Sequence, residues 1–182
     1  MNAMSGAFSL GPDAGRLLVR TGRTGLGSRA GHDLTLEVTR WEGTAHLESV
    51  EPAAGSVEVT AWVDSLEVRE GTGGLKPLTD GDRRDIKKNI SDKILRADRH
   101  PTIEFRSTAV EGDSAALTVQ GELTIGEQTH PATLHATLVD DRLTGKATVQ
   151  QSQWGIKPYT GFFGALKLKD DVEVAFDLSL PR

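Results

Sequence analysis

Apolar residues recur at every second position through much of this chain, the period of a strand with one face buried and the other in water. In Leu117, Val119, Gly121, Leu123 and Ile125 the odd positions are apolar or small, and Thr118, Gln120, Glu122 and Thr124 between them are polar. Val172, Val174, Phe176, Leu178 and Leu180 alternate in the same way with Asp171, Glu173, Ala175, Asp177 and Ser179. Val57, Val59, Ala61 and Val63 form a third stripe, and weaker ones run through 132–138, 143–149 and 103–109. Two stretches change phase. Leu34, Leu36 and Val38 give way after Arg40 to Trp41, Gly43, Ala45 and Leu47, and the stripe ending at Val63 resumes at Leu66 and Val68. A β-bulge inserts one residue and reverses the faces in this manner, so both switches predict bulged strands in a strongly curved sheet.

One segment keeps the other period. Ile86, Ile90 and Ile94 recur at i, i+4 and i+8 among Asp, Arg and Lys, which predicts an amphipathic helix near 79–95. Thr79 with Asp82 three residues on is a weak capping box, and Pro101 stops anything helical downstream. The approach to the helix, 70–77, reads as a glycine-rich loop. Strand candidates separated by Gly, Pro, Asp and Asn clusters, with a single helix, predict an all-β protein, an antiparallel barrel or sandwich of about eight strands. A barrel of about that size is just wide enough to hold a small ligand.

The chain of 182 residues is one domain's worth, with 1–15 read as a flexible N-terminal segment and 16–182 as the domain. Twenty-one Lys and Arg against 26 Asp and Glu leave a net charge of −5, which lacks the basic footprint of a nucleic-acid binder. The absence of cysteine excludes disulfides, thiolate zinc sites, cysteine-ligated clusters and a cysteine nucleophile. No run approaches the ~18 apolar residues of a spanning helix. The N-terminus has neither a basic n-region nor a continuous apolar h-region, so the expected compartment is the cytoplasm. Homodimerisation is left open.

Few motifs carry chemistry. Gly25-Leu26-Gly27-Ser28-Arg29-Ala30 spells a relaxed dinucleotide fingerprint, but an alternating strand follows where a helix is required, so these glycines read as turn punctuation. His32, His46, His100, His130 and His135 show no metal-binding spacing, and no metal is expected. His32 and His100 each flank a presumed strand, either as polar groups at a pocket mouth or as hydrogen-bonded loop anchors. No G-x-S-x-G elbow occurs, and Asp140-Asp141 and Asp170-Asp171 read as turns. Among the aromatics, Trp41, Trp62, Phe105, Trp154, Phe162, Phe163 and Phe176 are candidates for a core or a pocket wall. The stretch 153–164, dense in aromatics but laced with Gly and Pro, cannot be a regular strand. It is expected to cross an opening, either as a lid over an apolar cavity or as a structural plug.

Several of these stretches resemble one known family. Lys93-Ile94-Leu95-Arg96-Ala97-Asp98-Arg99-His100-Pro101-Thr102-Ile103-Glu104-Phe105-Arg106-Ser107 resembles the helix-to-strand signature of the YceI-like family. Gly121-Glu122-Leu123-Thr124-Ile125-Gly126 is similar to that family's Gly-x-Leu-Thr-Ile strand and turn. Trp154-Gly155-Ile156 followed by Asp171-Val172-Glu173-Val174 resembles its C-terminal end, and 16–47, with Gly31-His32-Asp33-Leu34, is similar to a subgroup of it. The resemblance implies an extended, lipocalin-like antiparallel β-barrel whose tunnel binds a polyisoprenoid, an isoprenoid quinone or a similar lipid, as a carrier or store that needs no cofactor. It carries a pocket role onto Phe105, Trp154 and Ile156. To these the residue pattern adds Phe162, Phe163, Phe176 and Trp41 as wall candidates, with His32 and His100 as contacts for a head group. Two other readings stay open: an enzyme acting on an apolar substrate with a His general base, and an interaction scaffold whose barrel is filled by side chains.

Overall fold

The alternating stripes become the strands of one curled antiparallel sheet. The structure, a computed structural model, describes residues 5–48, 52–161 and 164–181. Among these, the strands are β1 (Ser5–Leu10), β2 (Gly15–Arg20), β3 (Arg23–Thr24), β4 (His32–Val38), β5 (Trp41–Glu48), β6 (Ser56–Trp62), β7 (Leu66–Gly73), β8 (Thr102–Asp113), β9 (Ala116–Ile125), β10 (Gln128–Val139), β11 (Arg142–Gln150), β12 (Thr160–Gly161), β13 (Leu166–Leu168) and β14 (Asp171–Ser179). The α-helix α1 (Asp80–Lys88) precedes β8. Eleven strands follow one another in the order β1-β5-β6-β8-β9-β10-β11-β14-β2-β4-β7, and β12-β13-β3 form a small second sheet.

The ends of that order meet through a corner. β4 pairs with β7 as far as Val38 opposite Leu66, and β5 pairs with β6 from Trp41 opposite Ala61. Across the gap the Thr39 N–H donates to the Ser65 carbonyl at 3.0 Å, and the Trp62 N–H donates to the Arg40 carbonyl at 3.1 Å. The two ladders are therefore one ladder between two long strands that bend together. Counted as such, β2, β4 with β5, β6 with β7, β8, β9, β10, β11 and β14 close a ring of eight strands, and β1 is an outer addition on β5. The corner is held by side chains as well. The buried Ser65 hydroxyl donates to the Trp62 carbonyl at 2.7 Å and lies 3.1 Å from the Arg40 carbonyl, and Thr39 Oγ1 donates to the Ser65 carbonyl at 2.9 Å. Outside, Arg40 pairs with Asp64 at 2.9 Å and lies 5.0 Å from the centre of the Trp62 ring.

This corner corrects the expectation of one-residue bulges at the two phase switches. Residues 39–40 on one strand and a 3-10 turn at Val63–Ser65 on the other are interrupted together, because a ring that turns this sharply must bend both partners at one place. Real bulges occur elsewhere. Thr35 and Leu36 face Glu70 and Val68, leaving Arg69 extra, and Ser107 and Ala109 face Gly121 and Gln120, leaving Thr108 extra. The second explains why β8 turns Ile103 and Phe105 inward and then Val110.

Three further boundaries differ from the sequence reading. The segment read as a flexible N-terminus contributes β1, fully paired with β5, because Phe8 and Leu10 pack on the core and Leu10 is buried. β7 runs to Gly73, well into the stretch read as a loop. The helix starts as expected, with Thr79 Oγ1 accepting from the Asp82 N–H at 3.1 Å and Asp82 Oδ2 accepting from the Thr79 N–H at 2.8 Å. After Lys88 it widens into a π-helical stretch at Asn89–Ile94, where the Leu95 N–H donates to the Ile90 carbonyl. α1 covers the exposed edge of β7: Arg83 Nη1 donates to the carbonyls of Val68 and Arg69 at 3.0 and 2.6 Å, and Lys87 pairs with Glu67. An open strand edge is thereby satisfied within the chain.

One end of the ring is filled. Leu10, Val110, Leu117, Leu143, Leu178 and Leu180 are buried there, and the turns interlock through Leu138 N–H to Ser114 carbonyl, Leu180 N–H to Asp141 carbonyl and Ser179 N–H to Ala14 carbonyl, each at 2.7 Å.

Two outcomes follow. Ser65→Ala leaves the Trp62 carbonyl without its donor at the corner and should cost about 1–2 kcal/mol in urea unfolding; a loss below about 0.3 kcal/mol would contradict the role given to the corner. The backbone and side-chain hydrogen bonds of Thr79 hold the Asp82 carboxyl below its ordinary value of 3.8. A carboxylate so lowered stabilises the fold above that value, and its contribution fades as pH falls through the folded value. The gap in urea midpoint between wild type and Asp82→Asn should therefore be open at pH 6 and close toward pH 3, whereas a gap constant with pH would refute the assignment.

Candidate functional site

The inward stripes do not fill the ring. They enclose a cavity of about 1080 Å³ that runs from the filled end toward β3, β12 and β13. Its wall comes from the predicted apolar faces, among them Val57, Val59, Ile103, Leu123, Leu134 and Val174. These six are only half-buried although they point inward, since the space beside them is empty rather than packed. Among the described residues no large side chain falls below 2% exposure, unlike a close-packed interior. The alternative reading of a barrel filled by side chains has less support than that of an open one.

Two aromatics shape this wall, and glycine explains how. A Cβ at Gly121 would lie 2.4 Å from Phe105 Cζ, and one at Gly145 would lie 2.4 Å from Phe176 Cζ. Each ring therefore rests on bare backbone across the ladder and stays against the wall instead of crossing the lumen. Ile86, Ile90 and Ile94, the helical stripe, line the cavity from the side. Beside them Asp85, Asn89, Asp92 and Lys93 add polar groups to the lining.

The other end is spanned by a cap. After β11 a 3-10 turn at Gln151–Trp154 leads across the opening, and β12, β13 and β3 form the small sheet above it. Gly27 N–H donates to the Ala165 carbonyl at 2.9 Å and Lys169 N–H to the Gly22 carbonyl at 2.8 Å, which joins the cap to 21–31. Ile156, Tyr159, Leu166 and Leu168 face the lumen from this cap. The aromatic stretch thus crosses an opening, as its composition implies.

Of the predicted site residues, Trp41, Phe105, Ile156, Phe176 and His32 line the cavity. Phe162 and Phe163 lie outside the described residues. Trp154 and His100 are corrected: neither lines the lumen. Trp154 is buried beneath the cap, where its Nε1 donates to the Leu123 carbonyl at 2.8 Å and its ring meets His130 edge-on at 5.4 Å. It is an anchor, because an indole offers a large apolar body and one donor, and that donor is spent on β9. His100 packs against the β9–β10 turn, 3.7 Å from Glu127 Oε1 and next to Gly126, with its Nε2 buried and without a hydrogen-bond partner. His32 lies at the cavity margin and its Nε2–H donates to the Lys76 carbonyl at 2.7 Å, so it also ties the 73–77 loop to β4.

Sequence reasoning missed Tyr159, in irregular chain just before β12, Leu166 and Leu168, in a strand too short to show a period, and the two glycine seats, which need the cross-strand register. The lumen's polar groups are few. Trp41 Nε1 is buried without a hydrogen-bond partner. Among the described residues no three His, Asp or Glu side chains come together as metal ligands, and no helix is long and apolar enough to cross a membrane.

An eight-stranded antiparallel ring around an apolar lumen, plugged at one end and capped at the other, defines a lipocalin-like barrel. The chain belongs to the YceI-like family: the model of the YceI-like domain matches residues 19–180. Protein YceI of Escherichia coli O157:H7 is 29% identical over 133 residues, a match that takes in 71% of this chain and 58% of the relative. A UPF0312 protein of Pseudomonas aeruginosa is 28% identical over 127 residues, covering 64% of this chain and 60% of the relative. The matches thus span less than two thirds of those curated relatives. Among solved structures, BcnA of Burkholderia cenocepacia shares the fold with a TM-score of 0.63 at 17% identity, covering 89% of this chain and 94% of that one. A YCEI protein of Campylobacter jejuni gives 0.57 at 14% identity, covering 81% and 84%.

If Trp154 anchors the cap, Trp154→Phe should keep the fold and loosen 151–161. Hydrogen exchange of those amides should rise at least about tenfold, the equivalent of losing one buried hydrogen bond. Unchanged exchange would remove that role.

Proposed function

We propose that this protein binds a long apolar ligand in the lumen, a polyisoprenoid, an isoprenoid quinone or a similar lipid, and stores or carries it without chemical change. The observation that carries the reading is the apolar cavity of about 1080 Å³, much of whose inward-pointing lining stays only half-buried. That volume is at the upper end of small-molecule sites, which run to about 1,000 Å³. Its wall offers mainly burial, worth about 0.8 kcal/mol per methylene removed from water. Recognition would rest on length and cross-section rather than on charge. Membership of the YceI-like family supports a binding role in general.

The enzyme reading has less support. A general base must reach its substrate. His100 lies outside the lumen, and His32 has its Nε2 engaged by the Lys76 carbonyl, leaving Nδ1 alone to act.

Charge in the lumen should abolish uptake. Phe105→Asp is expected to lose bound lipid, while the exposed Glu122→Lys on the neighbouring strand keeps it. Because Phe105→Asp can fail to fold, Ala61→Trp with Ala132→Phe serves as a second probe, since both alanines line the cavity and larger side chains fill it. This variant should remain folded by circular dichroism and hold at least about tenfold less extracted lipid. Occupancy equal to wild type in the filled variant would contradict a lumenal site.

A further inference from the structure

The capped end of the barrel presents a surface that the lumen does not explain. Leu26, at the tip of the turn between Gly25 and Gly27, is fully exposed, Leu75 is 80% exposed, and Tyr159 is 49% exposed. Isolated exposed leucines are ordinary, but these stand on adjoining segments. Arg23 links them. Its guanidinium donates to the carbonyls of Ser28 and Gly31, pairs with Asp33 at 3.4 Å, and abuts Gly73, whose added Cβ would lie 1.9 Å from Arg23 Nη2. The turn carrying Leu26 and the turn carrying Leu75 are thus fastened to one side chain. The pairing of β3 with β13 adds the Tyr159 segment to the same end.

The charge of the cap segments is opposite to that of the protein as a whole, although the neighbouring β9–β10 turn carries the exposed Glu127. Residues 21–31, 73–79 and 151–169 contain Arg23, Arg29, Lys76, Lys157, Lys167 and Lys169 and no Asp or Glu. The remainder of the chain holds 15 Lys and Arg against 26 Asp and Glu. Arg29, Lys76, Lys157, Lys167 and Lys169 are exposed, and among the described residues none of the five forms an ion pair. Three carboxylates flanking these segments are engaged locally, Asp33 by Arg23, Asp82 by the Thr79 cap, and Asp170 by the Ser152 N–H at 2.8 Å and the Ser152 hydroxyl, while the exposed Asp80 follows Thr79 directly.

We infer that the capped end docks on an anionic lipid surface, with Leu26 and Leu75 entering the interface and the lysines and arginine facing the head groups. Protruding leucines on segments that also carry exposed cations are complementary to an anionic bilayer, in which apolar side chains reach the acyl boundary while cations remain at the phosphates. Each such cation raises partition onto an anionic surface roughly fivefold. An acidic soluble partner would use the cations and leave two leucines in water. Leu26 and Leu75, the side chains that would enter the interface, are not among those lining the lumen. Docking would bring the cap, and the cavity beneath it, against the membrane.

The test is co-sedimentation of the full chain with phosphatidylcholine vesicles, with and without phosphatidylglycerol. Wild type should be retained on the anionic vesicles only, and lose retention as salt rises. Leu26→Asp with Leu75→Asp should lower retention at least about tenfold. Val139→Asp, at an exposed apolar position on the plugged end, should leave it unchanged. Failure of wild type to bind anionic vesicles, equal binding to neutral ones, or the same loss from Val139→Asp would overturn the inference. Salt-sensitive retention untouched by the double leucine change would also overturn it, marking a polyanion site instead. Extracted lipid is read separately in each variant, so retention on vesicles by a protein with an empty lumen would uphold docking while refuting the ligand reading.

Discussion

The lumen depends on how a single ladder turns a corner. Between Val38 and Trp41 on one long strand, and between Trp62 and Leu66 on its partner, the backbone changes direction without losing its pairing. A sheet that failed to bend here would remain open, exposing the stripes of β8 to β11 to water. The buried Ser65 hydroxyl and the Thr39 side chain carry hydrogen bonding across the bend where regular pairing cannot. A polar group placed inside a barrel seam is tolerated because its partners are fixed carbonyls. The chain connection and the sheet closure are the same device.

Once the ring is closed, side-chain size decides how much of it is filled. At the plugged end leucines from β1, β9, β11 and β14 and from the chain after β14 meet across a narrow space. Farther along, alanines at 61, 132 and 136 and glycines at 121 and 145 hold the walls apart, with the two phenylalanines folded back onto the glycines. The helix lays its isoleucine stripe against the side of the cavity, and Arg83 fastens it to the edge of β7. The cap is fixed by the Trp154 hydrogen bond to Leu123 and by the pairing of β13 with β3. Cap, helix and wall are therefore separate pieces meeting around one space.

Much of this is legible in the sequence. The period-two stripes at 57–63, 117–125 and 172–180 face the interior as their pattern implies, and the isoleucines at i, i+4 and i+8 mark the helix together with its Thr79 cap. The phase switch after Arg40 correctly locates a bend, but a single chain cannot distinguish a bulge from a corner, because that distinction lies in what the partner strand does opposite. Trp154 illustrates the same limit in the site. Composition places it at an opening, yet whether its indole faces the lumen or a neighbouring carbonyl depends on a hydrogen bond to β9, far away in sequence. His100 sits one residue before the family-like Pro101, and its ring packs against the β9–β10 turn instead of lining the lumen, a contact that depends on the cross-strand register.

The central claim is that the interior of this barrel is a binding space. Native mass spectrometry of the purified protein, followed by organic extraction and identification of what is released, tests it most directly. The account predicts a stoichiometric hydrophobic adduct, or quantitative uptake of an added long-chain isoprenoid by the empty protein. A clean apo mass that refuses added isoprenoids would contradict it.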